Sequence, residues 1–428
     1  MMSSRERAEP AQTGGMSHVR WTVCALLFFA TTTNYLDRQV LSILAKTLET
    51  SVGWNSVQYG YITGAFQAAY GFGLLFAGGL IDRLGTRKGY AMAVGLWSLA
   101  AISHAAAVSA LTFGIARAAL GLGEAGNFPA CIKTVAEWFP KRERALATGI
   151  FNSGANIGAV AAPLAVPWMA ASFGWRSAFV ATGALGFLWI VFWLALYAKP
   201  EESRKVSARE LAHIQSDPPE REQSVPWVRL FPHRETWAFA AAKFMTEPIW
   251  WFFLFWFPKY LQETFALSLK QIVLPTLVVY NICSVGSVGG GWISGRLIER
   301  GWTVNAARKT AMLVCASCVA PVVCAPYCKS LWVVVGLVGL ATAAHQGWSA
   351  NLFTIVSDMF PRSAVASVVG IGSTVGMIGS MLLQVGTGYI VQLTHGYLPL
   401  FIAGGCAYLT ALAVVHALSP RLAPAELE

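Results

Sequence analysis

Apolar runs of about 20 residues or more, each long enough to cross a bilayer as a helix, recur along almost the whole chain between short polar turns. About twelve can be counted, at roughly 20–46, 57–81, 89–109, 111–136, 145–171, 175–197, 235–263, 271–294, 309–327, 331–357, 364–391 and 397–418. One connection differs from the rest. Residues 198–233, "AKPEESRKVSARELAHIQSDPPEREQSVPWVRLFPH", are polar, proline-bearing and midway along the chain. The pattern predicts an all-α membrane protein with two six-helix bundles, 20–197 and 234–418. A linker at 198–233 joins them, and polar tails flank them at 1–19 and 419–428.

The two bundles repeat each other. "EWFPKRERALATGIFNSGANIG" (137–158) aligns without gaps on "DMFPRSAVASVVGIGSTVGMIG" (358–379). The Phe-Pro pairs, Gly149/Gly370 and Gly158/Gly379 coincide. "GGLIDRLGTRK" (78–88) echoes "SGRLIERGW" (294–302) at a similar offset. A six-helix unit used twice sets a pseudo-symmetry axis between the halves, where transporters place their substrate near mid-membrane.

Composition agrees. Of 428 residues 55% are hydrophobic and 12% charged, and mean hydropathy is +0.53, whereas soluble domains carry about 25% charged residues. The formal charge of +10 suggests no nucleic-acid partner, because the basic residues sit in turns between apolar runs. About 22 of them fall on the side of the tails and linker and about five on the other, which predicts cytoplasmic termini. The N-terminal stretch lacks the pattern of a cleaved signal. Eight cysteines are scattered. The C-x-x-C of Cys315 and Cys318 lies in the apolar run "TAMLVCASCVAPVVCAPYC", so it reads as helix packing rather than a metal site.

Charges inside apolar helices are costly and mark function by default. Asp37 and Arg38 lie in helix 1, Arg117 and Glu124 in helix 4, Lys243 and Glu247 in helix 7, and His345 in helix 10. Three acids against three bases suggest pairing. Arg117 and Glu124, nearly two turns apart, share a face, with Gly121 between them expected to leave room. Arg38 or Arg117 can grip a carboxylate with a bidentate fork. Asp37 and Glu124 are the proton-coupling candidates. An anion arriving at the arginine weakens the internal pair and strengthens the carboxylate's hold on a proton, which is symport in electrostatic terms. Lys243 and Glu247, at i and i+4, read either as site residues or as a self-neutralising clamp. Tyr35 beside Asp37, and His345, Gln346, Trp348 and Asn351 in "AAHQGWSANLF", suit the hydroxyls and ring face of a sugar, with plain packing as the alternative for each. The repeat offset places His345 opposite Glu124.

At this point a resemblance becomes specific. "GGLIDRLGTRK" after helix 2 looks like the loop signature of the major facilitator superfamily. Within it, "NYLDR", the R-x6-E of helix 4, "EWFPKRERALATGIFNSG" and "EPIWW" resemble the anion:cation symporter family, most of all its bacterial hexuronate and galactonate transporters. The likeness spans about residues 18–420. It implies the major facilitator fold and import of an organic anion, foremost a hexuronate such as glucuronate or galacturonate, by proton symport and alternating access. An aldonate such as galactonate, or another small carboxylate, is the second substrate reading. It implies no catalytic residues, no metal, no cofactor beyond protons as coupling ion, and a monomer in the bacterial inner membrane. It implies further that Asp37, Arg38 and Glu124 occupy positions that bind substrate or protons, and that Tyr70 contacts substrate. Asp82, Arg83 and Arg87 then gate, bridging the halves in one state and separating in the other. A non-transporting sensor on the same scaffold is the competing class; the short tails argue against it.

The stretch "RAALGLGEAGNFPA" (117–130) also contains G-x-G-x-x-G, as Gly121, Gly123 and Gly126. A dinucleotide loop needs a preceding strand, and an apolar helical run precedes this one. The glycines read as close-packing points in helix 4.

Overall fold

The computed structural model describes residues 17–217 and 227–423. The parts of the tails and linker beyond these lie outside the described residues. Helices α1 (Val19–Val52), α2 (Ser56–Leu84), α3 (Thr86–Ser103), α4 (Ala110–Glu124), α5 (Asn127–Trp138), α6 (Lys141–Phe173) and α7 (Trp175–Leu196) form the first half. Two short helices, α8 (Ala208–Ile214) and α9 (Trp227–Leu230), belong to the linker. The second half comprises α10 (Arg234–Thr264), α11 (Val273–Glu299), α12 (Val304–Val319), α13 (Leu331–Met359), α14 (Arg362–Thr394) and α15 (Leu398–Leu418). No strand occurs among the described residues.

Local chemistry sets the helix ends. Asn55 and Gln58 close a reciprocal capping box on α2, and Ser109 and Thr112 do the same on α4. Gly53 ends α1 in the left-handed conformation, φ 84°. Seven passages are long and apolar enough to span a bilayer by composition alone: α2, α6, α7, α12 with the 3-10 stretch after it, α13, α14 and α15. With α1, α3, the α4–α5 pair, α10 and α11, the chain makes twelve passages. Buried charges interrupt the apolar runs of α1 and α10. Large apolar side chains such as Phe72, Phe76, Leu111, Trp168 and Trp292 point outward, a surface suited to lipid rather than water.

The internal repeat is visible in the fold. α6 and α14 are each 33 residues long and begin 221 residues apart (362 − 141), after Pro140 and Pro361 with matching backbone angles. The α4–α5 pair spans 110–138 and α13 spans 331–359, again 221 apart. One difference stands out. The expected single helix 4 is broken at Ala125–Gly126, just past Glu124, while α13 is continuous over 29 residues. Pro129 contributes, since it has no N–H to offer the Ala125 carbonyl four residues back and its ring crowds that carbonyl, although Pro163, Pro167, Pro248 and Pro258 lie within unbroken helices. The equivalent position, 129 + 221 = 350, holds Ala350, which tolerates a straight helix.

Packing follows the halves. α1 packs on α6 and α7, α2 on α4, α10 on α14 and α15, and α11 on α13. Across the halves α2 meets α14, α6 meets α11 and α1 meets α10. Gly60 permits the α2–α14 crossing, since a Cβ there would lie 2.7 Å from the Gln384 carbonyl oxygen.

Candidate functional site

Arg38 is the centre of the first half. It is 3% exposed, and its Nε donates to the Glu124 carboxylate, which is fully buried. The α4–α5 break directly after Glu124 ends the helix where this carboxylate meets α1. Four aromatic rings enclose the guanidinium: Tyr35 at 4.7 Å, Tyr70 at 4.8 Å, Trp251 at 5.4 Å and Phe66 at 5.5 Å from the ring centroids. Cation–π contacts of this kind contribute about 2 kcal/mol or more when desolvated. One carboxylate in a ring of aromatic faces therefore holds the arginine without saturating its five donors. Trp251 comes from α10, so the cage spans both halves.

Two expectations are corrected here. Arg117 does not pair with Glu124, although both lie on α4. Its Nη2 donates to the Arg38 carbonyl oxygen at 3.1 Å, beside the Phe66 ring, and its side chain is buried. Arg117 thus braces the backbone that carries Arg38. Nor does Gly121 open a gap between them: a Cβ there would lie 2.6 Å from the Phe66 carbonyl oxygen and 3.0 Å from the Tyr70 amide nitrogen. The α2 backbone fills that space.

Asp37 is buried, with the Thr182 hydroxyl as its polar neighbour and no ion-pair partner among the described residues. An ionised carboxylate without a bonded cation in a dry interior is strongly unfavourable, which distinguishes this group from Glu124, paired with Arg38.

The second half supplies a different wall. Lys243 and Glu247 are joined by an ion pair one turn apart on α10. Trp250 stacks on His345, 5.2 Å between centroids and 8° from parallel. The His345 Nδ1 is 2.6 Å from the Tyr408 hydroxyl, which bonds onward to the Thr246 carbonyl. Gln346 is half-buried. Trp348 and Asn351 depart from expectation. Trp348 is fully buried with its ring edge-on to Tyr408. The Asn351 amide donates to the Gly290 and Gly347 carbonyls, both at 2.9 Å, tying α13 to α11. Both side chains fill helix contacts of α13, Trp348 against α15 and Asn351 against α11.

The two ends of the molecule differ. At the face away from the termini, the halves are bonded to each other. Gln39 donates to the Tyr280 hydroxyl at 2.8 Å, and the Tyr59 hydroxyl to the Phe255 carbonyl at 2.7 Å. Lys259 is fully buried there, 3.0 Å from Ser56 Oγ, 3.3 Å from Glu49 and 3.6 Å from Glu263, while Lys46 reaches Glu49 at 3.2 Å and Glu263 at 3.6 Å. By sequence Lys259 is only one of the basic residues of that face. Its i, i+4 partner Glu263, and the Lys46–Glu49 spacing, are the signal that marks it.

At the face of the termini, the ion pairs of the described residues stay within one half, as Arg308–Asp358 does at 3.1 Å. The expected gating residues sit there and bond within the first half. Asp82 accepts from Lys133 at 2.6 Å, Arg87 donates to the Leu194 carbonyl at 2.5 Å, and Arg83 is exposed. The linker is fastened to the same half. Glu210 of α8 accepts from the Ser17 hydroxyl at 2.5 Å, the Val19 and Arg20 amides and the Arg20 guanidinium. Burial pushes the Glu210 carboxyl up, but the bonds from Ser17, Arg20 and Val19 outweigh it and hold the group below its ordinary value. No cluster of three His, Cys, Asp or Glu placed to hold a metal occurs among the described residues.

A twelve-passage repeat around buried charges defines a membrane transporter fold, and the comparisons agree. The Major Facilitator Superfamily model matches residues 27–384, and the chain belongs to that family, whose members are transporters and not enzymes. It is 32% identical over 392 residues to the hexuronate transporter of Escherichia coli K12, covering 90% of each chain. It is 31% identical to a probable galactarate/D-glucarate transporter of Bacillus subtilis, covering 92% of this chain and 90% of that one. To a D-galactonate transporter of Escherichia coli O6:H1 it is 27% identical, covering 94% of each. The fold is similar to the crystal structure of a D-xylose–proton symporter, with TM-score 0.75 at 14% identity over 95% of this chain and 99% of that one. A bacterial homologue of the lysosomal transporter Spinster gives TM-score 0.73 at 18% identity, over 95% and 98%.

Proposed function

We propose that this protein imports a sugar acid, foremost a hexuronate, together with protons, by alternating access in the bacterial inner membrane. The carrying observation is the buried Arg38–Glu124 pair inside its aromatic cage. A carboxylate entering the cage competes with Glu124 for the guanidinium fork. Glu124, losing its cation in a dry interior, then takes up a proton rather than remain as an isolated charge. Anion and proton so promote each other's binding. Asp37, buried without an ion-pair partner among the described residues, is the second proton carrier. Tyr35 and Tyr70 hold the substrate beside Arg38, with His345 and Gln346 opposite; Arg117 acts through Arg38. The basic side of the chain is cytoplasmic, so the bonded face is the outer one and this conformation faces inward. Asp82, Arg83 and Arg87 work in the opposite state, when their face closes. The protein works as a monomer with no cofactor but the coupling proton.

The similarity to galactonate and galactarate/glucarate transporters makes aldonates and aldarates the substrates to set against uronates. The test is a thermal-shift panel of glucuronate, galacturonate, galactonate, galactarate and neutral hexoses at two pH values. Stabilisation by uronates, greater at the lower pH, is expected. Stabilisation by neutral hexoses alone would sink the reading.

A further inference from the structure

The symport scheme leaves one charged feature of the site unused, the Lys243–Glu247 pair. Its side chains are only 5% and 14% exposed. Its backbone lies against α14 at Gly376, where an added Cβ would come within 3.3 Å of the Lys243 Cβ and 3.4 Å of the Glu247 Cβ, so the pair cannot retreat into the helix interface. Trp250, stacked on His345, follows on the same helix. Trp251, one turn beyond Glu247 on α10, lies 5.4 Å from the Arg38 guanidinium, which sets the pair beside the arginine's cage on the second-half wall.

Resting on the sugar-acid reading above, we infer that this pair reads the end of the substrate remote from the carboxylate held by Arg38, and that Glu247 selects monocarboxylates against diacids. In a uronate or aldonate the remote end carries hydroxyls; in an aldarate it carries a second carboxylate. An intact pair offers an acceptor and a donor with no net charge. A hydroxyl can donate to Glu247 and accept from Lys243. A carboxylate can use Lys243 only by facing Glu247 at close range, and like charges in a poorly hydrated site repel strongly. Self-neutralisation along a helix turn contributes only about 0.2–0.5 kcal/mol on an exposed helix, and two apolar side chains at this depth would avoid the desolvation cost altogether. The pair is better accounted for by what it faces.

The experiment is uptake of labelled glucuronate and galactarate into proteoliposomes by the wild type, Glu247→Gln and the double variant Lys243→Gln/Glu247→Gln. The wild type takes up glucuronate in preference to galactarate. Glu247→Gln frees Lys243 and raises the galactarate-to-glucuronate ratio at least about tenfold, the effect of one additional charge-assisted hydrogen bond. The double variant, neutral again, returns the ratio to within about threefold of wild type. An unchanged ratio in Glu247→Gln overturns the inference, as does a wild type that prefers galactarate. Should Glu247→Gln fail to fold, Lys243→Met serves instead: its lone carboxylate lowers the ratio, and no change overturns the inference. A wild type that transports neither acid refutes the sugar-acid reading itself, an outcome distinct from these.

Discussion

The two halves hold their central charges in different ways. In the first half Arg38 and Glu124 come from different helices, α1 and α4, and meet in a fully buried, aromatic-lined setting. In the second half Lys243 and Glu247 sit one turn apart on α10. A pair made between helices can be opened by a ligand or by movement; a pair within one helix persists in every state. The first arrangement suits coupling and the second suits recognition. The bonded face away from the termini uses both kinds together. The cross-half contacts Lys259–Glu49 and Lys46–Glu263 must break when that face opens, whereas Lys46–Glu49 and Lys259–Glu263 stay within their own helices. Each half therefore remains neutral after separating, so the closed face is held without leaving a stranded charge on opening.

The largest effect is expected where this contrast is sharpest. Arg38→Met strands Glu124 and should destabilise the protein by about 3–5 kcal/mol while abolishing uptake. Adding Glu124→Gln should restore much of the thermal stability but none of the uptake. Lys243→Met should lower stability less, because the Glu247 side chain is 14% exposed whereas that of Glu124 is fully buried. Equal losses of melting temperature for Arg38→Met and Lys243→Met would erase the distinction between the halves.

The lock at that face gives the second test. Glu49→Gln removes one cross-half partner of Lys259 and should shift the population toward the state open at that face. A cysteine replacing Ser56, which lies at the closed crossing, should then react severalfold faster with a membrane-impermeant maleimide, in a background lacking the exposed native thiols. Exchanging the charges of Glu49 and Lys259 preserves their cross-half contact but creates like-charge pairs with Lys46 and Glu263 inside each helix. That variant should react more slowly than wild type. If both variants react as wild type does, the four charges do not govern opening.

The smallest effect lies outside the membrane. Glu210 titrates below its ordinary value in the folded protein, so its contribution is complete at neutral pH. It fades as pH falls below the usual glutamate value of about 4.3 and through the folded one. Glu210→Gln should loosen α8 by about 2 kcal/mol at pH 7, seen as faster amide exchange in 208–214, and should remove the acid-dependent part of that exchange. Uptake should change little, because the strap belongs to one half.

Much of this was legible in the sequence. The twelve apolar runs, the 221-residue repeat and all six charges of the site follow from residue pattern alone, because lipid demands long apolar helices and tolerates few charges. Part of the cause of the α4–α5 break was also visible, since Pro129 stands four residues after Ala125, but a hydropathy pattern averages over one proline. Partner choice was not legible. Helical periodicity puts Arg117 and Glu124 on one face, yet which helix meets that face depends on how α1 and α2 pack. That packing gives Glu124 to Arg38 and turns Arg117 to the backbone. Trp348 and Asn351 show the same limit: their types suit a sugar, and only the rotation of α13 reveals that they fill helix contacts. Lys259 was visible as a basic residue, but its burial depends on the other half closing over it.

The most direct test of the coupling carried by the Arg38–Glu124 pair is proton movement measured alongside glucuronate transport in proteoliposomes. Wild type should acidify the lumen as glucuronate enters and accumulate it against its gradient when pH is lower outside. Glu124→Gln should still exchange labelled for unlabelled glucuronate, but without acidification or accumulation. A Glu124→Gln protein that accumulates glucuronate with wild-type proton flux would contradict the account.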